Sequence, residues 1–148
     1  MKTIRVKDLM TLNPVFAPPD MTLPNALQLM KERSIRRLPV CENGELTGIV
    51  TRGDLRGAQP SQATSLSIFE LHYLVGRITL GQIMTRHPMR VTPTTTVQEA
   101  ASIMLRRKIS GLPVVEQDRL VGIITESDIF RLVVKTWREE TDPELQPA

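Results

Sequence analysis

Displaced by 74 residues, so that Val6 falls on Leu80, the chain matches itself. Val6–Gly57 aligns with Leu80–Arg131 without a gap, and roughly a third of the pairs are identical. Met10-Thr11 falls on Met84-Thr85, Pro14 on Pro88, Ala26 on Ala100, and Leu38-Pro39-Val40 on Leu112-Pro113-Val114. Gly48-Ile49-Val50-Thr51-Arg52-Gly53-Asp54 then falls on Gly122-Ile123-Ile124-Thr125-Glu126-Ser127-Asp128. A unit of about fifty residues buries too little apolar surface to be comfortable alone. The two copies are therefore expected to share one fold and to pack sheet against sheet around a pseudo-two-fold axis, leaving two related clefts.

Each copy reads as β-α-β-β-α, an α/β (α+β) unit. After the turn at Pro14 or Pro88 comes a short extended stretch. A helix follows, with Leu23, Ala26, Leu27 and Met30 matching Val97, Ala100, Ala101 and Met104 at the i, i+3, i+4, i+7 spacing of one buried face. Thr96 with Glu99 has the spacing of a capping box, and the first copy has Thr22 with Pro24 in the first turn. Two strands follow, Arg37–Cys41 and Leu46–Thr51, joined through Asn43-Gly44. Their counterparts are Leu112–Val115 and Leu120–Thr125. A second helix starts after Thr51 and again after Thr125, the latter running from about Ser127 to Arg138 and ending at Thr141-Asp142-Pro143. Between the copies, Gly57 through Pro60 breaks the chain. Ser65–Gly76 then reads as an amphipathic helix with Ser67 and Glu70 at its start. This divides the chain into a first repeat (1–58), a connector (59–79), a second repeat (80–134), and the last helix end with a frayed tail (135–148).

Composition narrows the function. Aromatic residues make up 3% of the chain, so the core must be aliphatic and a stacking surface for single-stranded nucleic acid is nearly absent. The net charge of +3 tolerates anionic ligands without naming one. A nucleic-acid partner ranks last, for want of a basic-aromatic stripe or a reading helix. One cysteine allows neither an internal disulfide nor a cysteine-based zinc site within the chain, which suits a reducing, cytoplasmic setting. The opening Met1-Lys2-Thr3-Ile4-Arg5 has no apolar signal core, and no stretch reaches the roughly 20 apolar residues a membrane helix needs, so no membrane partner is expected. Cys41 takes the strand position of Val115 and reads as a small core residue. His72 and His87 stand in no metal or catalytic constellation, and the repeated Met10, Met30, Met84 and Met104 read as packing. No catalytic residue, metal site or enzyme activity is expected.

The strings Arg37-Leu38-Pro39-Val40 and Gly111-Leu112-Pro113-Val114-Val115, each followed by Gly-Ile-(Val/Ile)-Thr-x-x-Asp, resemble a tandem pair of CBS domains, a Bateman module, from about Val6 to Val134. The chemistry of Thr-x-x-Asp at a strand-to-helix junction is compatible with nucleotide binding. Unpaired N–H groups at a helix start favour phosphate, and a carboxylate suits the two vicinal hydroxyls of ribose. The same spacing is also that of a capping box that merely finishes a helix.

The resemblance implies roles residue by residue. In the first cleft Asp54 would hold the ribose and Thr51 a phosphate, with Arg36 and Arg37 gripping phosphates and the adenine near Thr95, Ala100, Ile109 and Ser110. In the second, Asp128 and Thr125 repeat these roles, but Ser110 and Gly111 replace the two arginines. A polyphosphate nucleotide should therefore prefer the first cleft, leaving the second empty or with a less charged adenosyl ligand. The implied function is regulatory sensing of AMP, ADP, ATP or S-adenosylmethionine, read by a separate effector protein or a second copy. The resemblance also implies a homodimer formed through the Ser65–Gly76 and Ser127–Arg138 helices. The alternative is a purely structural dimerisation module with empty clefts.

Overall fold

A computed structural model describes residues 3–60, 66–142 and 144. The elements run α1 (Val6–Leu9), β1 (Thr11–Leu12), α2 (Leu23–Arg33), β2 (Arg37–Glu42), β3 (Glu45–Thr51), α3 (Arg52–Gly57) and α4 (Ile68–Val75). They continue as α5 (Leu80–Ile83), β4 (Thr85–Arg86), α6 (Val97–Arg107), β5 (Gly111–Glu116), β6 (Arg119–Thr125) and α7 (Glu126–Thr141). Mixed α/β architecture is confirmed, and the ladders β1–β6, β2–β3, β3–β4 and β3–β6 are antiparallel.

The described residues cluster into two compact units that cut across the sequence repeats. The first-repeat unit is drawn from Val15–Pro88 with Asp118–Leu120. The second-repeat unit is drawn from the segment up to Pro14, Met89–Gln117 and the chain from Val121 onward. The segment leading into each repeat thus packs in the other repeat's unit. Val6 is fully buried in one core with Val97, Ala100, Leu112, Val114 and Ile124, and Leu80 in the other with Leu23, Ala26, Leu38, Val40 and Val50. Backbone bonds tie the segments down: Val6 N–H donates to Thr95 O (2.8 Å) and Val97 N–H to Ile4 O (2.9 Å), while Leu80 N–H donates to Met21 O (2.9 Å) and Leu23 N–H to Ile78 O (2.8 Å).

These segments explain a residue of the repeated motif. β4 pairs beside β3 with Arg86 opposite Gly48, and β1 pairs beside β6 with Leu12 opposite Gly122. A Cβ on Gly48 would stand 2.8 Å from Met84 Cγ and 3.0 Å from Thr85 O. On Gly122 it would stand 2.7 Å from Met10 Sδ and 3.0 Å from Thr11 O. Both glycines make room for a methionine and a strand laid across them.

The helices form as their patterns require. In α2 the buried residues are Leu23, Ala26 and Met30, with Pro24 in the first turn, where a missing N–H costs nothing. In α6 they are Val97, Ala100, Ile103 and Met104, and Thr96 Oγ1 accepts the Glu99 N–H at 3.1 Å. Left-handed residues recur at the same displacement of 74. Asn13 and His87 both have φ 48°, Ser34 and Lys108 both 54°, Asn43 and Gln117 54° and 51°, and Gly44 and Asp118 81° and 64°. Both hairpins therefore turn with two successive positive φ values, the geometry that matches strand twist.

Several expectations need correction. The extended stretch after each proline is one bridging residue: Ala17 pairs parallel with Val40, and Val91 with Val114. The short elements α1, β1, α5 and β4 were not foreseen. The connector helix is shorter than Ser65–Gly76, starting at Ile68 with Ser67 Oγ accepting the Glu70 N–H at 3.2 Å. Ser65 lies outside the described residues. The last helix is longer than expected, because Asp142 N–H still reaches Arg138 O at 2.9 Å. Pro143 and the tail after Glu144 lie outside the described residues. Among the described residues no helix is long and apolar enough to cross a membrane.

Candidate functional site

Hairpin pairing brings four of the expected residues to one end of the first-repeat unit. Arg37 on β2 lies opposite Thr51 on β3, and the next ladder bond runs from Arg52 N–H to Arg36 O at 2.9 Å. Thr51 ends the strand and caps α3. Its N–H donates to Asp54 Oδ2 at 2.9 Å, and its Oγ1 accepts the Asp54 N–H at 3.1 Å. Because the Thr51 hydroxyl is used as an acceptor, its own proton remains to donate. Asp54 is exposed, and among the described residues its Oδ1 has no hydrogen-bond partner.

The second-repeat unit repeats the backbone plan. Glu126 N–H donates to Ser110 O at 3.0 Å, so Ser110 stands where Arg36 stands. The side chains bond differently. Thr125 gives both its N–H (2.8 Å) and its hydroxyl proton (3.2 Å) to Asp128 Oδ2, and Arg131 Nη1 donates to Asp128 Oδ1 at 2.9 Å. The Asp128 side chain is 10% exposed and that of Arg131 75%. The reciprocal capping box that spacing alone allowed is therefore formed in the first copy, while in the second the aspartate caps the Thr125 N–H and both carboxylate oxygens are engaged.

The other expected residues all fall in the second-repeat unit. Ala100 is fully buried in its core. Thr95, Ile109 and Ser110 are half-buried, with Thr95 Oγ1 accepting the Thr92 N–H at 3.1 Å and Ile109 packing against the core. Sequence reasoning missed Arg131. Its signal was the i, i+3 spacing from Asp128, which places the two side chains on one helix face.

No other chemistry gathers. Among the described residues no group of His, Cys, Asp and Glu has the arrangement of a metal site. Cys41 is buried in β2, and desolvation raises its thiol pKa, which disfavours the thiolate a nucleophile requires. An open groove runs along α7, lined by Ser127, Phe130, Arg131, Val134, Lys135, Arg138 and Glu139, none of them an expected site residue.

Comparison with known proteins places this geometry. The CBS domain model matches residues 6–61 and 80–135. A CBS domain-containing protein of Dictyostelium discoideum is 35% identical over 143 residues, 91% of each chain. The chain is also 36% identical over 126 residues to an inosine-5'-monophosphate dehydrogenase of Korarchaeum cryptofilum, but spans only 22% of that enzyme. Among solved structures, the CBS domain pair of protein MJ0100 in complex with 5'-methylthioadenosine and S-adenosyl-L-methionine superposes with a TM-score of 0.75. It is 28% identical, covering 91% of this chain and 99% of that one. CBSX2 of Arabidopsis thaliana in complex with AMP gives a TM-score of 0.73 at 30% identity, covering 90% and 98%. With the model matched twice, and a relative of like length aligned nearly end to end, the chain belongs to the CBS domain family and carries two such domains in tandem.

Proposed function

We propose that this protein is a regulatory sensor that binds an adenine nucleotide or another adenosyl compound at its Thr-x-x-Asp elements and catalyses nothing. The observation that carries the reading is the state of the first element. The Thr51 proton and Asp54 Oδ1 are both unspent among the described residues, at the hairpin end that also holds Arg36 and Arg37. A diol donating to the carboxylate and a phosphate accepting from the hydroxyl would complete that pair, with the nearby positive charge of the arginines favouring the phosphate. Two similar solved pairs are complexes, one with AMP and the other with 5'-methylthioadenosine and S-adenosyl-L-methionine, which supports the class of compound. The enzyme relative aligns over about a fifth of its length, which supports a regulatory rather than catalytic part. In this reading ATP or ADP prefers the first element. The signal passes to a separate cytoplasmic effector, or through a homodimer contact made by α4 and α7, whose Phe69, Tyr73, Phe130 and Trp137 are exposed.

A second reading is favoured by one observation: both aspartates bond to their own backbone, so the elements could serve only as helix caps in a structural module. Thermal shift with AMP, ADP, ATP, S-adenosylmethionine and 5'-methylthioadenosine decides between them. Sensing predicts a rise with at least one compound that Asp54→Asn or Asp128→Asn diminishes. The structural reading predicts no rise with any.

A further inference from the structure

Asp54 and Asp128 occupy the same place in the two repeats, but among the described residues only Asp128 has a cation across its second oxygen. The position of Arg131 is taken by Gly57 in the first copy, so no side chain there can reach Asp54 as Arg131 reaches Asp128. Resting on the reading above, we infer that Arg131 is a latch on the second element, and that it decides whether that element accepts an uncharged or an anionic adenosyl compound.

The argument is one of competing donors. A vicinal diol grips a carboxylate by donating one O–H to each oxygen. Asp128 Oδ2 already receives two bonds from Thr125, and Oδ1 receives Arg131 at 2.9 Å. Oδ1 keeps one lone pair beside Arg131, so a diol that takes it shares the oxygen with the guanidinium and competes with it. The arginine is 75% exposed, so water meets the departing guanidinium and the pair itself is weak. What the released cation meets next depends on the ligand. A 5'-phosphate gives it a new anionic partner, and an uncharged 5'-thioether gives it none. Arg131 thus costs the uncharged compound an ion pair and returns one to the phosphorylated compound. The Thr125 hydroxyl does not share in this preference, since its proton is committed to Asp128 and serves a phosphate only after it turns, which leaves the discrimination to Arg131. The second element, lacking the paired arginines of the first, is left with one cation and selects for one phosphate.

The experiment uses the full chain carrying Asp54→Asn, which keeps a capping acceptor while impairing the first element, and measures AMP and 5'-methylthioadenosine binding by calorimetry with and without Arg131→Ala. An exposed pair of this kind is worth a few-fold in affinity. Arg131→Ala should therefore strengthen 5'-methylthioadenosine binding about threefold and weaken AMP binding about threefold, lowering the preference for AMP about tenfold. Arg131→Lys should restore part of it. A preference unchanged within about twofold, on the same constants, overturns the latch while leaving the sensing function intact. If neither compound binds even the wild-type chain, the sensing reading falls and the latch with it. A ligand-free arm reads the contact directly. By side-chain NMR the Arg131 guanidinium should rotate more slowly than that of Arg138, and Asp128→Asn should release it. Equal rotation overturns the proposal.

Discussion

The two Thr-x-x-Asp elements share a backbone and differ in what their side chains have left to offer. In the first repeat the threonine accepts, the aspartate is exposed, and one oxygen and one proton remain unspent among the described residues. In the second the threonine donates twice and an arginine holds the other oxygen. The two copies keep the same backbone at the helix start and differ in their side-chain hydrogen bonds. In the proposed reading, the residues that would make the two elements unequal lie outside Thr-x-x-Asp: Arg36, Arg37 and Gly57 on one side, Ser110, Gly111 and Arg131 on the other.

The largest expected effect tests whether the shared backbone has the same support in both units. Gly48→Ala and Gly122→Ala each force a methyl group onto a methionine and a backbone carbonyl, and overpacking of this kind costs about 1–3 kcal/mol. Gly48→Ala should lie at the upper end because its methyl group would meet Met84 Cγ at 2.8 Å, against 3.2 Å to Met10 Cγ from Gly122→Ala. Denaturant midpoints measure both, and equal, negligible shifts would mean the lead-in segments are loosely held. Next, Arg36→Ala with Arg37→Ala should weaken ATP binding about tenfold, the loss of a charge-assisted contact, while leaving 5'-methylthioadenosine nearly unaffected. Calorimetry reads the contrast.

Smaller effects sharpen the comparison of the caps. Asp54→Ala and Asp128→Ala each remove the acceptor of a cap bond, at about 1 kcal/mol. Asp128→Ala should cost more, since it strands two donors of Thr125 in a half-buried place. Calorimetric unfolding would contradict this if Asp54→Ala proved the costlier. Smallest of all, Lys108→Gly relieves a left-handed residue at φ 54° and should stabilise by about 0.5–1 kcal/mol, as should Ser34→Gly at its counterpart. A loss of stability in both would place the strain elsewhere.

What the sequence made legible is what local periodicity controls. The faces of α2 and α6, the Asn43-Gly44 hairpin and the spacing of the caps all follow from residues within a few positions of one another. The exchange of lead-in segments was not legible, because nothing in Val6 or Leu80 says which repeat it will pack in. Its helical turns did leave a trace. Arg5 N–H meets Asp8 Oδ2 at 2.9 Å and Thr79 N–H meets Gln82 Oε1 at 3.1 Å, capping bonds at a spacing visible in the chain. Within the site, the sequence pointed to Asp54 and Asp128 but not to their inequality. Whether a threonine proton faces its own carboxylate is decided by a rotamer, and whether Arg131 crosses to Asp128 depends on a helix that persists well past it.

The claim on which the rest stands is that a small adenosyl ligand settles on these helix starts, and unequally. Titrating uniformly 15N-labelled protein with ATP tests it at residue resolution. The account predicts that the amides of Thr51 through Leu55 shift first and those of Thr125 through Ile129 later or not at all. Saturating ATP, AMP and 5'-methylthioadenosine that move neither set would contradict it.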